Sequence, residues 1–271
     1  MARHEPPADK ERQRRLDAKA PKGYDSSKFE RFAVTCDIVI LAMKDRKPHI
    51  LLVKRSGPPF AGYWALPGGF KHPDESLDEA AERELREETG FPAPNYLRQF
   101  RAYGDPGRDL RTNVVTVAYV AVVPGIVGLS AGSDAVAVGV FPIDMIRSGE
   151  LDIAFDHEAI IFDAMDHVAD ELESGAIATN FLPDEFTLPQ LRNVYEAFWE
   201  SKFDGANFRR DLIDVPEPYV AKLSVKNEKG KTVDKTAPSS PSGGRPAQLF
   251  KKTGSWEKSG PPIRRRQRRS R

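Results

Sequence analysis

The stretch GGFKHPDESLDEAAERELREETGF, residues 68–91, decides the fold. Residues 76–89 read as a helix. Ser76 and Glu79 make a capping-box pattern, and Gly90 stands where a left-handed cap is expected. With about 100° per residue, Ala81 lies about 40° from Leu77, Glu88 about 20° from it, and Glu84 about 20° on the other side. Glu84 and Glu88 therefore share the apolar stripe of Leu77 and Ala81, with Glu87 at its edge. Glu79, Glu82, Arg83 and Arg86 point away. Burying a carboxylate without a partner is strongly unfavourable, and two on one face also repel. A solvated acidic helix accounts for the outer residues but not for Glu84 and Glu88. A divalent cation removes both penalties. Hard oxygen ligands at i, i+3 and i+4 (Glu84, Glu87, Glu88) suit Mg²⁺ or Mn²⁺, which also hold phosphate oxygens.

The 271 residues suffice for one large or two modest domains. With 39% hydrophobic and 30% charged residues, the chain can bury a core and keep a charged surface. No run reaches the ~18 apolar residues of a membrane span, so no membrane partner is expected. The valine-rich run 114–129 is broken by Pro124 and Gly125. The first residues are charged and lack an apolar signal core. The single cysteine, Cys36, excludes an internal disulfide and a cysteine metal cluster. The expected compartment is the cytoplasm. The net charge of +1 is unevenly spread: Arg264, Arg265, Arg266, Arg268, Arg269 and Arg271 crowd the C-terminus. Residues 1–29 and 256–271 read as disordered tails, the second a basic one that either stays solvated or attracts nucleic acid.

Between the tails, FAVTCDIVILAM and HILLVKR read as strands around the turn KDRKP. YWALPGGF is a short strand or loop entering the glutamate-rich helix. YLRQFRAYG and NVVTVAYVAVV are strands flanking the turn-rich DPGRDLR, and AVAVGVF is another. Residues 156–174 are helical in pattern, with Gly175 as C-cap. Residues 30–175 are thus a mixed α/β domain. The texture then changes. Leu188, Leu191, Val194, Tyr195 and Phe198 lie three or four apart, which predicts a helix from Leu188 to about Ser201. A second, with Phe208 and Leu212 inward, starts near Gly205. A basic Pro/Gly/Ser/Lys-rich stretch, 222–244, and a strand in AQLFKK follow. Two helices joined by a glycine-containing turn, then a basic loop and strand, make 176–255 a winged helix-turn-helix. Asn207, Arg209 and Arg210 would face outward to meet base edges and phosphates of double-stranded DNA, with Arg245 near the tip of the wing. The competing reading of those arginines is an ordinary solvated helix face.

From Gly69 the sequence runs Gly, five residues, Glu75, seven residues, Arg83-Glu84-Leu85, one residue, Glu87-Glu88, one residue, Gly90-Phe91. This resembles the Nudix box at every specified position, a coincidence expected about once in 10⁸ starting positions. The resemblance implies an α/β/α sandwich around a mixed sheet and hydrolysis of a nucleoside diphosphate linked to another group. It implies that Glu84, Glu87 and Glu88 ligate the metal, that Gly69 offers its carbonyl to it, and that Arg83 orients the glutamates. Between Glu88 and Glu150 the chain has no glutamate, so the general base is either Asp134 or a box glutamate, Glu87 or Glu88. LVKRSGPPFAGYWALPGG and YGDPGRDLRTNVVTVAY are similar to segments of ADP-ribose-type Nudix proteins. Arg55 would meet a phosphate, and Phe60, Tyr63 and Trp64 would stack a base or wall its pocket. Arg108, Asp109 and Arg111 would contact phosphate and ribose hydroxyls. Core packing and local ion pairs are the plainer roles for these side chains.

A Nudix domain followed by FTLPQLRNVYEAFW, NFRR and GRPAQLF resembles the NrtR-type Nudix-related transcriptional regulators over about residues 30–252. Asp211 follows NFRR where a basic residue is expected, and 220–244 is long for a wing. The resemblance implies a homodimer that binds and hydrolyses ADP-ribose or a relative with Mg²⁺, reads a DNA palindrome and regulates NAD metabolism. The competing readings are a sensor without turnover, and a plain ADP-ribose pyrophosphatase whose C-terminal domain only packs or dimerises.

Overall fold

Apolar and β-branched side chains make Ala33–Lys44 the central strand, β1, of a seven-stranded mixed sheet. The computed structural model describes residues 28–90, 94–126, 135–173, 176–214, 218, 220–238, 246–253 and 263. By its contacts the chain forms one short unit, Met1–Phe32, and a second, Ala33–Arg271. Asp45 and Arg46 both take positive φ, 49° and 63°, the backbone that a two-residue hairpin demands. β2 (Lys47–Arg55) thereby returns antiparallel to β1. β3 (Trp64–Ala65) pairs with β2, and β4 (Gly68–Phe70) pairs antiparallel with β1. β5 (Tyr96–Tyr103) lies at the edge beside β6 (Val114–Val123), which runs parallel to β1. β7 (Ala135–Pro142) covers the far side of β2.

Alternate side chains of a strand face opposite layers. Cys36, Ile38 and Ile40 of β1 pack with Ala80, Ala81 and Leu85 of helix α1 (Leu77–Thr89). Helix α1 carries the capping box of Ser76 and Glu79 and the left-handed Gly90 cap, φ 69°. Burial and the neighbouring Asp37 push the Cys36 thiol up to about 12. On the opposite face Val39, Leu41, Ile50 and Leu52 meet α2 (Ile143–Arg147) and α3 (His157–Glu171).

That second core continues without a break into the C-terminal elements. A 3₁₀ turn, Ala176–Phe181, leads to β8 (Phe186–Thr187) and α4 (Leu188–Phe198). Thr187 and Gln190 form a second capping box. α5 (Gly205–Ile213) is capped by Asp204. β9 (Val220–Lys222) and β12 (Leu249–Lys252) complete a three-stranded sheet in the order β8-β12-β9. Between them stands a two-stranded hairpin, β10 (Ser224–Lys226) and β11 (Thr232–Asp234). This is a winged helix. Leu191, Val194, Tyr195, Trp199, Phe208, Leu212 and Phe250 join the same cluster as Ile160, Ala164 and Val168 of α3.

Three features differ from the expectations above. Helix α3 ends at Glu171, with Leu172 as a right-handed cap; the expected cap, Gly175, lies outside the described residues. The orphan carbonyl of Ala169 in its last turn instead accepts a 2.7 Å bond from the indole of Trp199. Helix α4 stops at Phe198, with Trp199 as cap, short of Ser201. The basic stretch after Lys222 contains a hairpin. All its strand residues are exposed, so no alternation marked it in sequence.

Trp199→Phe keeps most of the ring but strands the buried Ala169 carbonyl. It should lower unfolding stability by about 1–3 kcal/mol, measured as the urea midpoint with unchanged slope. An unchanged midpoint would mean that the bond does not help to join α3 to α4.

Candidate functional site

A cleft of ≈ 430 Å³ opens where β4, α1 and the loops after β2 and β5 converge. Backbone and helix build its acidic side together. The Gly68 N–H donates to Glu88 Oε2 at 2.9 Å. A Cβ on Gly69 would lie only 2.7 Å from the carboxyl carbon of Glu84, so no larger residue fits there without a shift. One guanidinium ties the rest. Arg83 donates to Glu75 through Nε and Nη2 (3.0 and 2.8 Å), to Glu84 at 2.7 Å, to Glu87 at 3.1 Å and to the Phe70 carbonyl at 3.1 Å. The two partners on that network shift in opposite directions. The Arg83 hydrogen bonds draw Glu75 down to about 2. Burial raises Glu84 despite Arg83, its residue being only 8% exposed.

Glu84, Glu88 and Gly69 line the cleft. Glu87 turns outward to Arg83, with its side chain 59% exposed. Among the described residues no three carboxylate, histidine or cysteine side chains converge closely enough to hold a metal ion. The donor set still suits a hard cation: two glutamate carboxylates and a backbone held against them, all oxygen. Three carboxylates, of Glu75, Glu84 and Glu87, also share the single positive charge of Arg83 at this end of the cleft.

The opposite side carries cations and rings. Arg55 donates to the Pro59 carbonyl at 2.9 Å and lies 4.8 Å over the ring of Phe155. Burial, then the charge of Arg111, lowers the pKa of Arg55. Arg111 sits 5.7 Å over Phe70 and 5.9 Å over Phe155. Its guanidinium and N–H engage the buried Asp109 at 2.7–3.0 Å. Arg108 lines the cleft, but its nearest partners are carboxylates of the protein. Its side chain is 5% exposed, and it forks onto Asp156 at 2.9 and 2.7 Å. It also reaches Asp37 at 3.5 Å. Phe60 stands behind Phe155, ring centroids 4.8 Å apart. Trp64 does not wall the cleft: it packs on Phe141 at 4.6 Å with Lys54 above it, on the core side where Gly139 leaves room. Asp134 lies outside the described residues.

Sequence reasoning missed Thr35, Asp37, Phe70, Phe155 and His157, all of which line the cleft. The chain before Phe155 is tied to β3, because Trp64 N–H donates to Asp152 and Ala154 N–H to Trp64. Phe155 then takes φ 56°, and His157 opens α3. The ring Nδ1 of His157 accepts from the Leu66 N–H at 2.9 Å, which leaves Nε2 facing Asp37 at 3.7 Å. The available signal was Thr35 and Asp37, two polar residues on the face of β1 that carries Val39 and Leu41.

A second surface lies on the winged helix. Arg209 and Arg210 are exposed on α5, while Phe208 and Leu212 are buried on its other side. Asn207 is half-buried, with its backbone N–H on the Asp204 cap. Arg210 lies 3.5 Å from Asp211. Arg245 lies outside the described residues. The tip of the β10–β11 hairpin presents exposed Lys229 and Lys231, in a turn closed by Asn227 and Gly230.

Two family models match: the NUDIX domain over residues 31–163 and the NrtR DNA-binding winged helix domain over 178–231. An ADPR responsive transcriptional repressor of Acinetobacter baylyi is 31% identical over 232 residues, 84% of this chain and 85% of that one. The chain belongs to the NrtR family of Nudix-related regulators. The Shewanella oneidensis NrtR complexed with a 27mer DNA shares its architecture, at TM-score 0.63 and 29% identity over 81% of this chain and 93% of that one. The Nudix half also resembles an ADP-ribose pyrophosphatase of Methanocaldococcus jannaschii, 38% identical over 155 residues, 56% of this chain and 86% of that one. Among the described residues no helix is long and apolar enough to cross a membrane.

Burial holds His157 neutral, below the ordinary imidazole value and against the opposing pull of Asp37 and Asp156. The unfolded imidazole takes a proton near pH 6.5, so this contribution is full above that pH and is lost as pH falls below it. Asn in place of His157 can accept the Leu66 N–H without titrating. Between pH 7.5 and 5.5, His157→Asn should lose less stability than the wild type, read as the shift in urea midpoint. Parallel shifts would contradict a neutral buried His157.

Proposed function

We propose that this chain is a DNA-binding regulator whose Nudix cleft binds ADP-ribose, or a related nucleoside diphosphate-X, with Mg²⁺ or Mn²⁺ and hydrolyses it. The observation that carries the reading is one cleft with an acidic wall at Gly68, Gly69, Glu84 and Glu88, and a cationic, aromatic wall at Arg55, Arg111, Phe70 and Phe155. A pyrophosphate needs both walls. Its charge suits Arg55 and Arg111, and its base can lie against the rings. Gly69, Glu84, Glu87 and Glu88 would hold the cation, which supplies charge neutralisation and a more acidic bound water. Arg83 keeps the glutamates in place. Asp134, Glu87 or Glu88 takes the proton from the attacking water. Asn207, Arg209 and Arg210 would enter the major groove, with Arg245 and the hairpin near the backbone. The domains divide near residue 175, the regulator acts as a homodimer in the cytoplasm, and the target genes belong to NAD metabolism. The relatives named as an ADPR responsive repressor and an ADP-ribose pyrophosphatase support both halves.

A sensor without turnover is the second reading, favoured by the outward Glu87 and its bond to Arg83. Glu88→Gln separates the two. It keeps an acceptor for the Gly68 N–H but removes a charge. With ADP-ribose and Mg²⁺, the wild type should release AMP and ribose 5-phosphate, and the mutant should lose nearly all turnover while melting at the same temperature. No turnover by the wild type, with binding intact, would establish the sensor.

Replacing Arg209 and Arg210 together by alanine removes exposed donors and leaves Phe208 and Leu212 in the core. Affinity for a promoter fragment should fall by more than ~2 kcal/mol, since one good arginine–base contact contributes ~1–3 kcal/mol. Fluorescence anisotropy reads the change. Equal binding by both proteins would remove α5 from the interface.

A further inference from the structure

Glu196 lies in the last turn of α4, yet its side chain is only 7% exposed. Its Oε1 accepts the backbone N–H of Phe203, in the turn between α4 and α5, at 3.0 Å. Its Oε2 accepts from Lys202 Nζ at 3.1 Å. Arg192, one turn earlier on α4, brings Nε to 3.5 Å, and Arg46 of the β1–β2 turn comes to 3.8 Å. Burial by itself raises a carboxyl, but the Phe203 N–H, Lys202 and Arg192 outweigh it and hold Glu196 below the usual carboxylate range. An apolar side chain of similar size would pack there without the cost of desolvating a charge. What sets Glu196 apart from such a residue is the backbone it holds.

That backbone is the turn of the helix-turn-helix. The Ser201 N–H donates to the Glu196 carbonyl at 3.3 Å and the Phe203 N–H to its carboxylate, so one residue ties both halves of the turn to α4. The next residue, Asp204, caps α5 by accepting the Asn207 N–H at 2.9 Å. Arg192 covers the start of α5, where a Cβ on Gly205 would lie 2.7 Å from its Nη1. The ring of Phe203 sits between Trp199 and Phe208, with centroids 5.8 and 5.9 Å away. Ring contacts of that kind tolerate sliding, whereas a hydrogen bond is directional and fixes the main chain. Arg210 stands about 7.5 Å along the helix from Gly205, so a swing of about 15° about that start moves it by about 2 Å. Binding groups must be held within about 0.5 Å to keep their contacts.

We infer that Glu196 is a positioning residue for DNA reading: by holding the Phe203 amide it sets the angle at which α5 presents Arg209 and Arg210 to the bases. This rests on the reading of α5 as the helix that enters the groove. Phosphate attraction is long-ranged and survives a small shift, while base contacts do not. Loss of the Glu196 bond therefore costs sequence discrimination before it costs binding to DNA of any sequence.

Two variants separate the hydrogen bond from the charge. Glu196→Gln keeps the acceptor and drops the charge. Glu196→Asp keeps the charge and draws the carboxylate back by one methylene, out of reach of the Phe203 N–H. Fluorescence anisotropy, well below the melting temperature of each variant, compares a promoter fragment with a random duplex of equal length. Glu196→Asp should weaken the promoter fragment about tenfold, the size of one lost base contact, and leave the random duplex nearly unchanged. Glu196→Gln should match the wild type on both. Hydrogen exchange at the Phe203 amide should be slow in the wild type and Glu196→Gln, and fast in Glu196→Asp. Equal weakening of both duplexes by Glu196→Asp would point to lost folded protein and overturn the positioning role. Loss by Glu196→Gln with Glu196→Asp unchanged would assign the effect to charge and overturn it as well. If replacing Arg209 and Arg210 by alanine leaves promoter binding intact, α5 is not the reading helix and this inference falls with that reading. If that replacement abolishes binding while Glu196→Asp binds as the wild type does, this inference alone is overturned.

Discussion

The acidic wall of the cleft depends on one guanidinium. Arg83 binds three glutamates from two segments of chain and the carbonyl of Phe70 on β4. Those bonds close the loop between β4 and α1. They fix the angle at which the helix leaves the sheet and keep like charges within reach of a single cation. Glu75 and Glu84 show how position divides the work. Glu75 takes two of the five guanidinium bonds and is held ionised to about pH 2. Glu84 shares the same partner, yet burial dominates and raises its pKa. A carboxylate in that condition gains most from a further cation. The two glycines are the other half of the constraint: a side chain on Gly69 would meet the Glu84 carboxylate, and one on Gly68 would meet Cys36 and Asp37 of β1.

The sheet connects this wall to the rest of the molecule through α3. That helix begins in the cleft, with Asp156 under Arg108 and His157 beside Asp37. It ends beneath the winged helix, where Ala169 accepts from Trp199. Exposed Arg46 reaches the buried Glu196 at 3.8 Å, and the surface pair of Arg147 and Glu200 adds to that join. Exposed pairs contribute little; the shared apolar core is what holds the helix-turn-helix against the sheet. Any ligand effect on DNA must be a difference in affinity for two arrangements of this assembly, and α3 is in contact with both ends of it.

Local patterns were legible wherever a single period or cap sufficed. The alternation of FAVTCDIVILAM gave β1, and the Ser76–Glu79 box with Gly90 gave α1 to within a residue. Leu188, Leu191, Val194 and Tyr195 marked α4, and Gly205 marked the start of α5. Short or wholly exposed elements left no such trace. The five residues of α2 are fewer than two turns, and the β10–β11 hairpin buries neither face. Trp64 was misplaced because an aromatic before the box has the same appearance whether it faces a ligand or Phe141. The face it takes was settled by the space at Gly139 on a strand more than seventy residues away.

By itself the sequence determined the glutamate-rich helix, the order of Nudix and winged-helix parts and the family, because spacing and capping are properties of a few consecutive residues. The tertiary structure decided which of those charges meet. Arg108 has the composition of a phosphate ligand, but the loop before α3 brings Asp156 to it, and burial makes that pair its first partner. Glu87 has the spacing of a cleft residue, yet the helix rotation that buries Glu84 leaves Glu87 in solvent. Thr35 and Asp37 are ordinary polar residues of a strand until the fold buries them. Burial is a property of the whole assembly, and burial decides which partners a polar side chain keeps.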